Sequence, residues 1–171
     1  MANIVDKLRG GDRRSIGGSD KVAHQIAKSP KLFAEALAAT LDADPVTRMR
    51  AADAIEKASA ICPALLQPHK RIILSKIASI PQQEVRWHTA QMLPRLKLTP
   101  KERDHAVSIL FHYLEDKSSI VKTFAMQALS DFAQTDYRLR ERILPILEFL
   151  TADGTAAMRA RGRKLLSGLK S

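Results

Sequence analysis

A pattern of paired amphipathic helices repeats along most of this 171-residue chain and constrains its fold more than any other feature. One 13-residue segment aligns with three later ones at shifts of 38, 36 and 37 positions: 46–58, 84–96, 120–132 and 157–169. Another apolar helix is predicted before each copy, at about 30–42, 66–79, 100–115 and 137–151. Because such a unit cannot bury its apolar face alone, neighbouring units must stack to complete the core. We therefore expect an all-α fold with no β-sheet.

Capping residues stand at the predicted helix starts. Ser29 and Asp44 are N-cap residues, and each is followed by a proline, which is favoured at the first helical position. Thr99 and Glu102 have the three-residue spacing of a capping box. These signals predict helices that begin at Pro30, after Asp44 and after Thr99.

The first 20 residues differ in composition from the rest of the chain. They hold four of the seven glycines together with Arg13 and Arg14, and few apolar residues. We predict a flexible Gly/Arg-rich arm over residues 1–20. A single repeat domain is expected over 21–171, with helix pairs at about 30–60, 66–97, 100–133 and 137–169.

The second helix of each pair carries matched residues. An advance of about 100° per residue puts one buried stripe on each of the first three copies. These stripes are Val121, Ala125, Ala128 and Phe132; Val85, Thr89, Met92 and Leu96; and Thr47, Ala51, Ala54 and Ala58. A basic residue also recurs at one matched position, as Arg48, Arg86, Lys122 and Arg159. In three copies an aspartate precedes it by about six residues, as Asp42, Asp116 and Asp153.

Between residues 30 and 169 the chain resembles the HEAT-repeat family. The resemblance rests on the period, on the Asp-to-base spacing and on the run DPVTRMRAADAI at 44–55. It implies a right-handed, armadillo-like α-solenoid of about four HEAT-like helix pairs, whose second helices line a concave face. It also implies that the acidic and basic residues form a structural ladder between repeats, broken where Ile80 replaces aspartate. A fold of this kind does not specify a function.

Composition and charge limit the classes of partner and the cellular compartment that we expect for this chain. There are 28 Lys and Arg residues against 18 Asp and Glu, a net charge of +10, which attracts polyanions at long range. A single cysteine, Cys62, excludes an internal disulfide framework. No apolar run approaches the roughly 20 residues that span a bilayer, and no apolar segment typical of a secretory signal opens the chain. We expect a cytoplasmic protein with no membrane partner.

The sequence contains no convincing catalytic or metal-binding motif. The stretch GGDRRSIGG at 10–18 lacks the Lys-Ser/Thr ending of a phosphate-binding loop. His105 and His112 share one helix face, but two turns, about 10 Å, separate them, so we expect exposed histidines and no shared ion. These observations favour a non-enzymatic protein without cofactor or metal.

We expect the face opposite the buried stripes to contact a protein partner, because it carries the only tryptophan and a methionine, both good contact residues. The predicted partner-binding residues of this scaffold are Met49, Trp87, Gln91, Thr123, Met126 and Gln127.

Nucleic-acid binding is the alternative. The basic side chains would contact phosphates without reading sequence, because aromatic residues are not interleaved among them. The residues concerned are Arg48, Arg50, Arg86, His88, Arg159, Arg161, Arg163 and Lys164. HEAT-like alkylpurine DNA glycosylases suggest an enzymatic variant of this hypothesis, in which Asp53 on the open face is the candidate catalytic carboxylate.

Overall fold

The computed structural model describes residues 3–9 and 18–170, and over these residues it is helical with no β-strand. The all-α prediction is therefore confirmed. The chain divides into two compact units, unit 1 up to Lys97 and unit 2 from Leu98 onward. Each unit is described by itself below.

In the described part of unit 1, five α-helices are joined by shorter helical turns. They are α1 (Ser19–Ile26), α2 (Pro30–Ala38), α3 (Pro45–Ile61), α4 (Lys70–Ile72) and α5 (Gln83–Met92). The predicted helix at 66–79 is instead a 3-10 segment over Pro63–His69, the short α4 and a π-turn over Ile73–Ile77. Pro68 lies inside the 3-10 segment and lacks the N–H that a regular α-helix needs. Helix α3 packs against α1, α2 and α5.

Unit 2 contains four long helices. They are α6 (Pro100–Tyr113), α7 (Ser119–Ala133), α8 (Tyr137–Asp153) and α9 (Ala156–Lys170). Consecutive helices pack on one another, and α7 also packs on α9. The second helices of consecutive pairs are therefore in contact in each unit: α3 with α5, and α7 with α9.

The predicted capping residues make the predicted bonds. Ser29 Oγ accepts a bond from the Leu32 amide at 3.4 Å. The Thr47 amide donates to the Asp44 carboxylate at 2.9 Å. At the start of α6 the capping box is complete, because the Glu102 amide donates to Thr99 Oγ1 at 3.3 Å and the Thr99 amide donates to the Glu102 carboxylate at 2.8 Å.

Part of the predicted N-terminal arm lies in the core of unit 1. Residues 1, 2 and 10–17 are outside the described residues. Over residues 3–9, Ile4 and Leu8 are only 3% and 0% exposed, one helical turn apart. Arg50 Nη1 donates to the Leu8 carbonyl at 3.2 Å. The described part of the arm therefore contributes two apolar side chains to the core, and α1 begins within the arm at Ser19.

The buried stripes are where the repeat register predicts them. Eleven of the twelve stripe residues are less than 9% exposed, and several are fully buried. The exception is Phe132, which is half-buried with the Arg103 guanidinium 5.6 Å from its ring centroid. The helix register on which the surface assignments depend is thus confirmed for α3, α5 and most of α7.

The recurring basic residue bonds a backbone carbonyl of its own turn in the first two copies. Arg48 Nη1 donates to the backbone carbonyl of Asp42 at 2.9 Å, and Arg86 Nε donates to that of Ile80 at 3.2 Å. The predicted pairing with the aspartate side chain is therefore wrong at Arg48, and at Arg86 the ladder was expected to be interrupted by Ile80. A carbonyl at the end of a helix needs a donor whatever side chain its residue carries, which explains why isoleucine is tolerated at position 80.

We predict that Gly162→Ala destabilises unit 2. Gly162 is buried in α9, and a methyl group there would overlap the side chain of Thr151 on α8. The expected loss is about 1–3 kcal/mol of unfolding free energy, as for other overpacked sites, measured by urea denaturation. Gly168→Ala is the matched control, because open space surrounds Gly168 in the same helix. The control should be neutral or stabilising by up to about 1 kcal/mol, and equal effects of the two changes would contradict the prediction.

Candidate functional site

The predicted partner-binding face of unit 1 is partly open. Met49 on α3 and Trp87 and Gln91 on α5 are all half-buried. The Trp87 ring lies 5.7 Å from the His88 ring, and Gln91 Nε2 donates to the Trp87 carbonyl at 3.2 Å. These three predicted residues thus keep some surface available for contact.

Two predicted partner-binding residues of unit 2 are buried. Met126 is 0% exposed, and Thr123 is 8% exposed with its hydroxyl donating to the Ser119 carbonyl at 2.7 Å. Their placement on an open face is therefore wrong. Helix α7 packs against α6, α8 and α9, so its buried face is wider than one stripe. Gln127 stays half-buried and accepts a bond from Arg161 Nη1 at 2.6 Å.

Most of the predicted phosphate-binding residues are engaged within the protein. Arg50 and His88 are buried, at 3% and 9% exposure, so their prediction as surface contacts is wrong. Arg48 and Arg86 are half-buried and donate to carbonyls of their own turns. Arg161 is half-buried and is bonded to Gln127.

The remaining basic side chains lie on the outer side of α9. Arg159, Arg163 and Lys164 are exposed, and the first two are one helical turn apart. No acidic residue occurs between positions 154 and 171. This basic face is the only part of the predicted nucleic-acid surface that the structure leaves fully exposed.

A buried polar cluster joins the three helices α1, α3 and α5. Asp53 on α3 is 7% exposed and its carboxylate accepts bonds from Ser19 Oγ at 2.5 Å and from Lys57 Nζ at 2.8 Å. Lys57 also bonds the Asp20 carboxylate at 2.5 Å, and this pairing raises the lysine pKa against the opposing effect of burial. The expectation of Asp53 on an open face is wrong. The carboxylate is enclosed and already occupied by two donors.

His88 completes this cluster from α5. Its Nε2 lies 3.7 Å from the Asp53 carboxylate, and its buried Nδ1 has no hydrogen-bond partner among the described residues. Burial lowers the His88 pKa, although the nearby Asp53, Glu56 and Glu84 carboxylates act in the opposite direction. The net effect favours the neutral form of the histidine.

Matched positions make comparable contacts between successive pairs. Asp53 and Gln127 occupy one register position, and His88 and Arg161 occupy the position that faces it from the next pair. The contact is a 3.7 Å approach in unit 1 and a 2.6 Å hydrogen bond in unit 2. In unit 2 a hydrogen bond therefore joins α7 to α9 at these positions, whereas in unit 1 His88 only approaches the Asp53 carboxylate. The sequence reasoning missed both contacts; the recurrence of polar residues at these positions was the available signal.

Unit 2 also contains an open cleft that the sequence reasoning missed. It has a volume of about 280 Å³ and lies between the start of α7 and the junction of α8 with α9. Phe149, Leu150 and Met158 supply its apolar lining, and Lys117 and Lys122 lie at its edge. Phe149 is 63% exposed. It lies off the stripe of α8 that buries Leu139, Ile143 and Leu147, and this off-stripe position was the signal in the sequence.

Comparisons with known proteins do not identify a relative: no family model matches the chain, and no curated protein or solved structure is detectably similar to it. Over residues 3–9 and 18–170, no helix combines the length and apolar character needed to cross a bilayer. The same residues contain no group of three His, Cys, Asp or Glu side chains placed to hold a metal ion.

We predict that His88 makes stability depend on pH below 6.5. The unfolded chain has the ordinary histidine pKa of 6.5 and the folded one a lower value, so the unfolded state binds more protons just below pH 6.5. Stability should be full above pH 6.5 and fall as the pH drops through that value toward the folded-state pKa. Urea denaturation of the wild type and of His88→Asn at about pH 7.5 and about pH 5.5 measures the difference.

His112→Asn is the control for this prediction, because His112 is exposed and its removal should leave the pH dependence unchanged. A His88→Asn protein that loses as much stability as the wild type between the two pH values would contradict the prediction.

Proposed function

We propose that this protein is a non-enzymatic binding or scaffold module: a right-handed HEAT-like solenoid of about four helix pairs that holds a protein partner on the concave face of its second helices. The observation that carries the proposal is Trp87. The only tryptophan of the chain is partly exposed on α5, opposite a stripe that is completely buried.

Two observations support the repeat architecture within each unit. The second helices of consecutive pairs pack together, α3 with α5 and α7 with α9. The basic residue at the matched position donates to a carbonyl of its own turn at Arg48, Arg86 and Arg159. The first feature is what a stack of equivalent units requires, because each unit must meet its neighbour through the same surface. The second is a contact within each pair that recurs at the matched position.

Residue chemistry supports the choice of a protein partner. Tryptophan side chains dominate binding energy at protein interfaces because they bury a large rigid surface, and methionine adapts to irregular contacts. Met49 on α3 occupies the register position of Trp87, and α3 packs against α5. The tryptophan ring and the methionine thioether, on helices that pack together, would offer a rigid and an adaptable side chain to the same partner.

We predict that Trp87→Ala weakens partner binding about tenfold or more, the usual loss at an interface hot spot. The tagged protein is used to capture partners from its native host. Each captured protein is then produced in pure form and titrated against wild type, Trp87→Ala and Trp87→Phe, with circular dichroism to verify folding. The phenylalanine variant should recover part of the affinity, because it restores an aromatic surface.

Tyr137→Ala is the matched control, since Tyr137 is an aromatic residue that is 68% exposed in unit 2. It should bind the partner as the wild type does. Partners that bind Trp87→Ala with unchanged affinity would contradict this assignment.

Backbone-directed nucleic-acid binding is the second candidate, and the exposed basic face of α9 favours it. We predict that log affinity for a duplex falls linearly with log salt concentration, with a slope of about −3 for three contacts, one each from Arg159, Arg163 and Lys164. Arg163→Gln combined with Lys164→Gln should reduce this slope by about 2. Electrophoretic retardation at several salt concentrations measures the slope.

The double variant Arg71→Gln, Lys76→Gln is the matched control, because it removes the same charge from exposed positions of unit 1. If the control reduces the salt dependence as much as the α9 variant does, or if low salt gives no retardation, nucleic-acid binding by α9 is excluded.

A further inference from the structure

The cleft of unit 2 differs chemically from the corresponding cleft of unit 1. In unit 1 the cation of the cleft lined by Leu41, Arg48 and Gln82 is already bonded, because Arg48 Nε donates to Gln82 Oε1 at 2.8 Å. Gln82 Nε2 in turn donates to the Pro45 carbonyl at 2.9 Å. These hydrogen bonds join the two neighbouring helix pairs and provide the Arg48 guanidinium with a partner inside the protein.

Unit 2 lacks these bonds. Lys122 takes the register position of Arg48, and Thr155 takes that of Gln82. The Thr155 hydroxyl is directed to its own helix, where it accepts a bond from the Met158 amide at 3.4 Å. Within the described part of the chain the side chains of Lys122 and Lys117 have no hydrogen-bond or ion-pair partner. Two unpaired lysine side chains thus line the cleft of unit 2. In unit 1, by contrast, the cation at the matching position, Arg48, is paired with Gln82.

The apolar side of the cleft is also incomplete. Phe149, which lines the cleft, is 63% exposed, and Ile120, next to the lining residue Ser119, is 47% exposed. Met158 is 4% exposed and forms a fixed apolar part of the lining. A large exposed aromatic side chain beside a buried apolar one gains stability when a second apolar group covers both.

We propose that this cleft binds a partner segment in which an acidic residue adjoins a bulky apolar residue. The carboxylate pairs with Lys122 and Lys117, and the apolar side chain packs on Phe149, Leu150 and Met158. Asp153 is the single acidic lining residue, so the two lysines leave the lining with a net positive charge that complements an acidic segment. A volume of about 280 Å³ is at or below the low end of small-molecule pockets, roughly 300–1,000 Å³, and suits one or two side chains of a segment.

The lining residues of this cleft belong to unit 2, whereas Trp87 belongs to unit 1. The proposal adds an acidic recognition element in unit 2 to the protein-binding function proposed above, and its test does not use the partner captured through Trp87. The Trp87→Ala protein should bind the acidic segment with wild-type affinity, so the two proposals can fail independently.

The experiment selects binders from a random dodecapeptide phage library on the full-length protein. Counter-selection uses Lys117→Gln, Lys122→Gln, which should fold normally because the two side chains have no partner in the fold. The enriched peptides should place Asp or Glu next to Phe, Leu, Ile or Trp. The best peptide, labelled with fluorescein, is then titrated by fluorescence anisotropy against wild type and variants.

The double lysine variant should weaken binding about fivefold or more, since each exposed ion pair contributes modestly. Phe149→Ser should weaken it by a similar factor, whereas Lys101→Gln, an exposed lysine of α6 outside the cleft, should leave it unchanged.

Enrichment of peptides without acidic residues would overturn the proposal, as would equal binding to the double variant. If inorganic phosphate displaces the peptide with an inhibition constant equal to the peptide's Kd, the cleft is a simple anion site and the proposal is overturned. Dimerisation of the free protein that Phe149→Ser abolishes would assign the cleft to a second copy instead.

Discussion

Close packing of neighbouring helices through small side chains is the interaction on which both units depend. The stripe of α3 is built from Ala51, Ala54 and Ala58, all fully buried, and that of α7 contains Ala125 and Ala128. Short side chains allow the helix backbones to approach closely and to exclude water along the whole contact. Each helix can then be covered on several sides at once, which is how such short helices remain buried without a large aromatic core.

This packing creates a requirement for polar bonds at the helix ends and along the outer sides. Turns between the two helices of a pair leave carbonyl groups without helical partners, and an arginine of the second helix satisfies them. Along α3 the burial of the Asp53 carboxylate is compensated by Ser19 and Lys57. A buried carboxylate without donors would cost several kcal/mol, so this cluster restricts α1 to one position on α3.

Local features were predictable from the sequence to a large extent. The caps at Ser29, Asp44 and Thr99 form as predicted, because capping depends on residues within one turn. The inward stripes are also correct except at Phe132. The candidate site was less predictable. Trp87 is partly exposed as expected, whereas Met126 is buried, because a helix wheel gives the side of a residue but not how many neighbours cover the helix.

By itself the sequence determined that the fold is helical, where α2, α3 and α6 begin, and, apart from Phe132, which stripe residues of the first three copies face the core. These properties follow from interactions within one or two helical turns and from the period of the apolar residues. The tertiary structure alone decided which polar side chains form hydrogen bonds within the protein and which remain available at the surface. Arg48 is paired with Gln82, while its counterpart Lys122 is left at the edge of an open cleft. That difference depends on the residue presented by the next helix pair, more than 30 positions away, and no local pattern contains it.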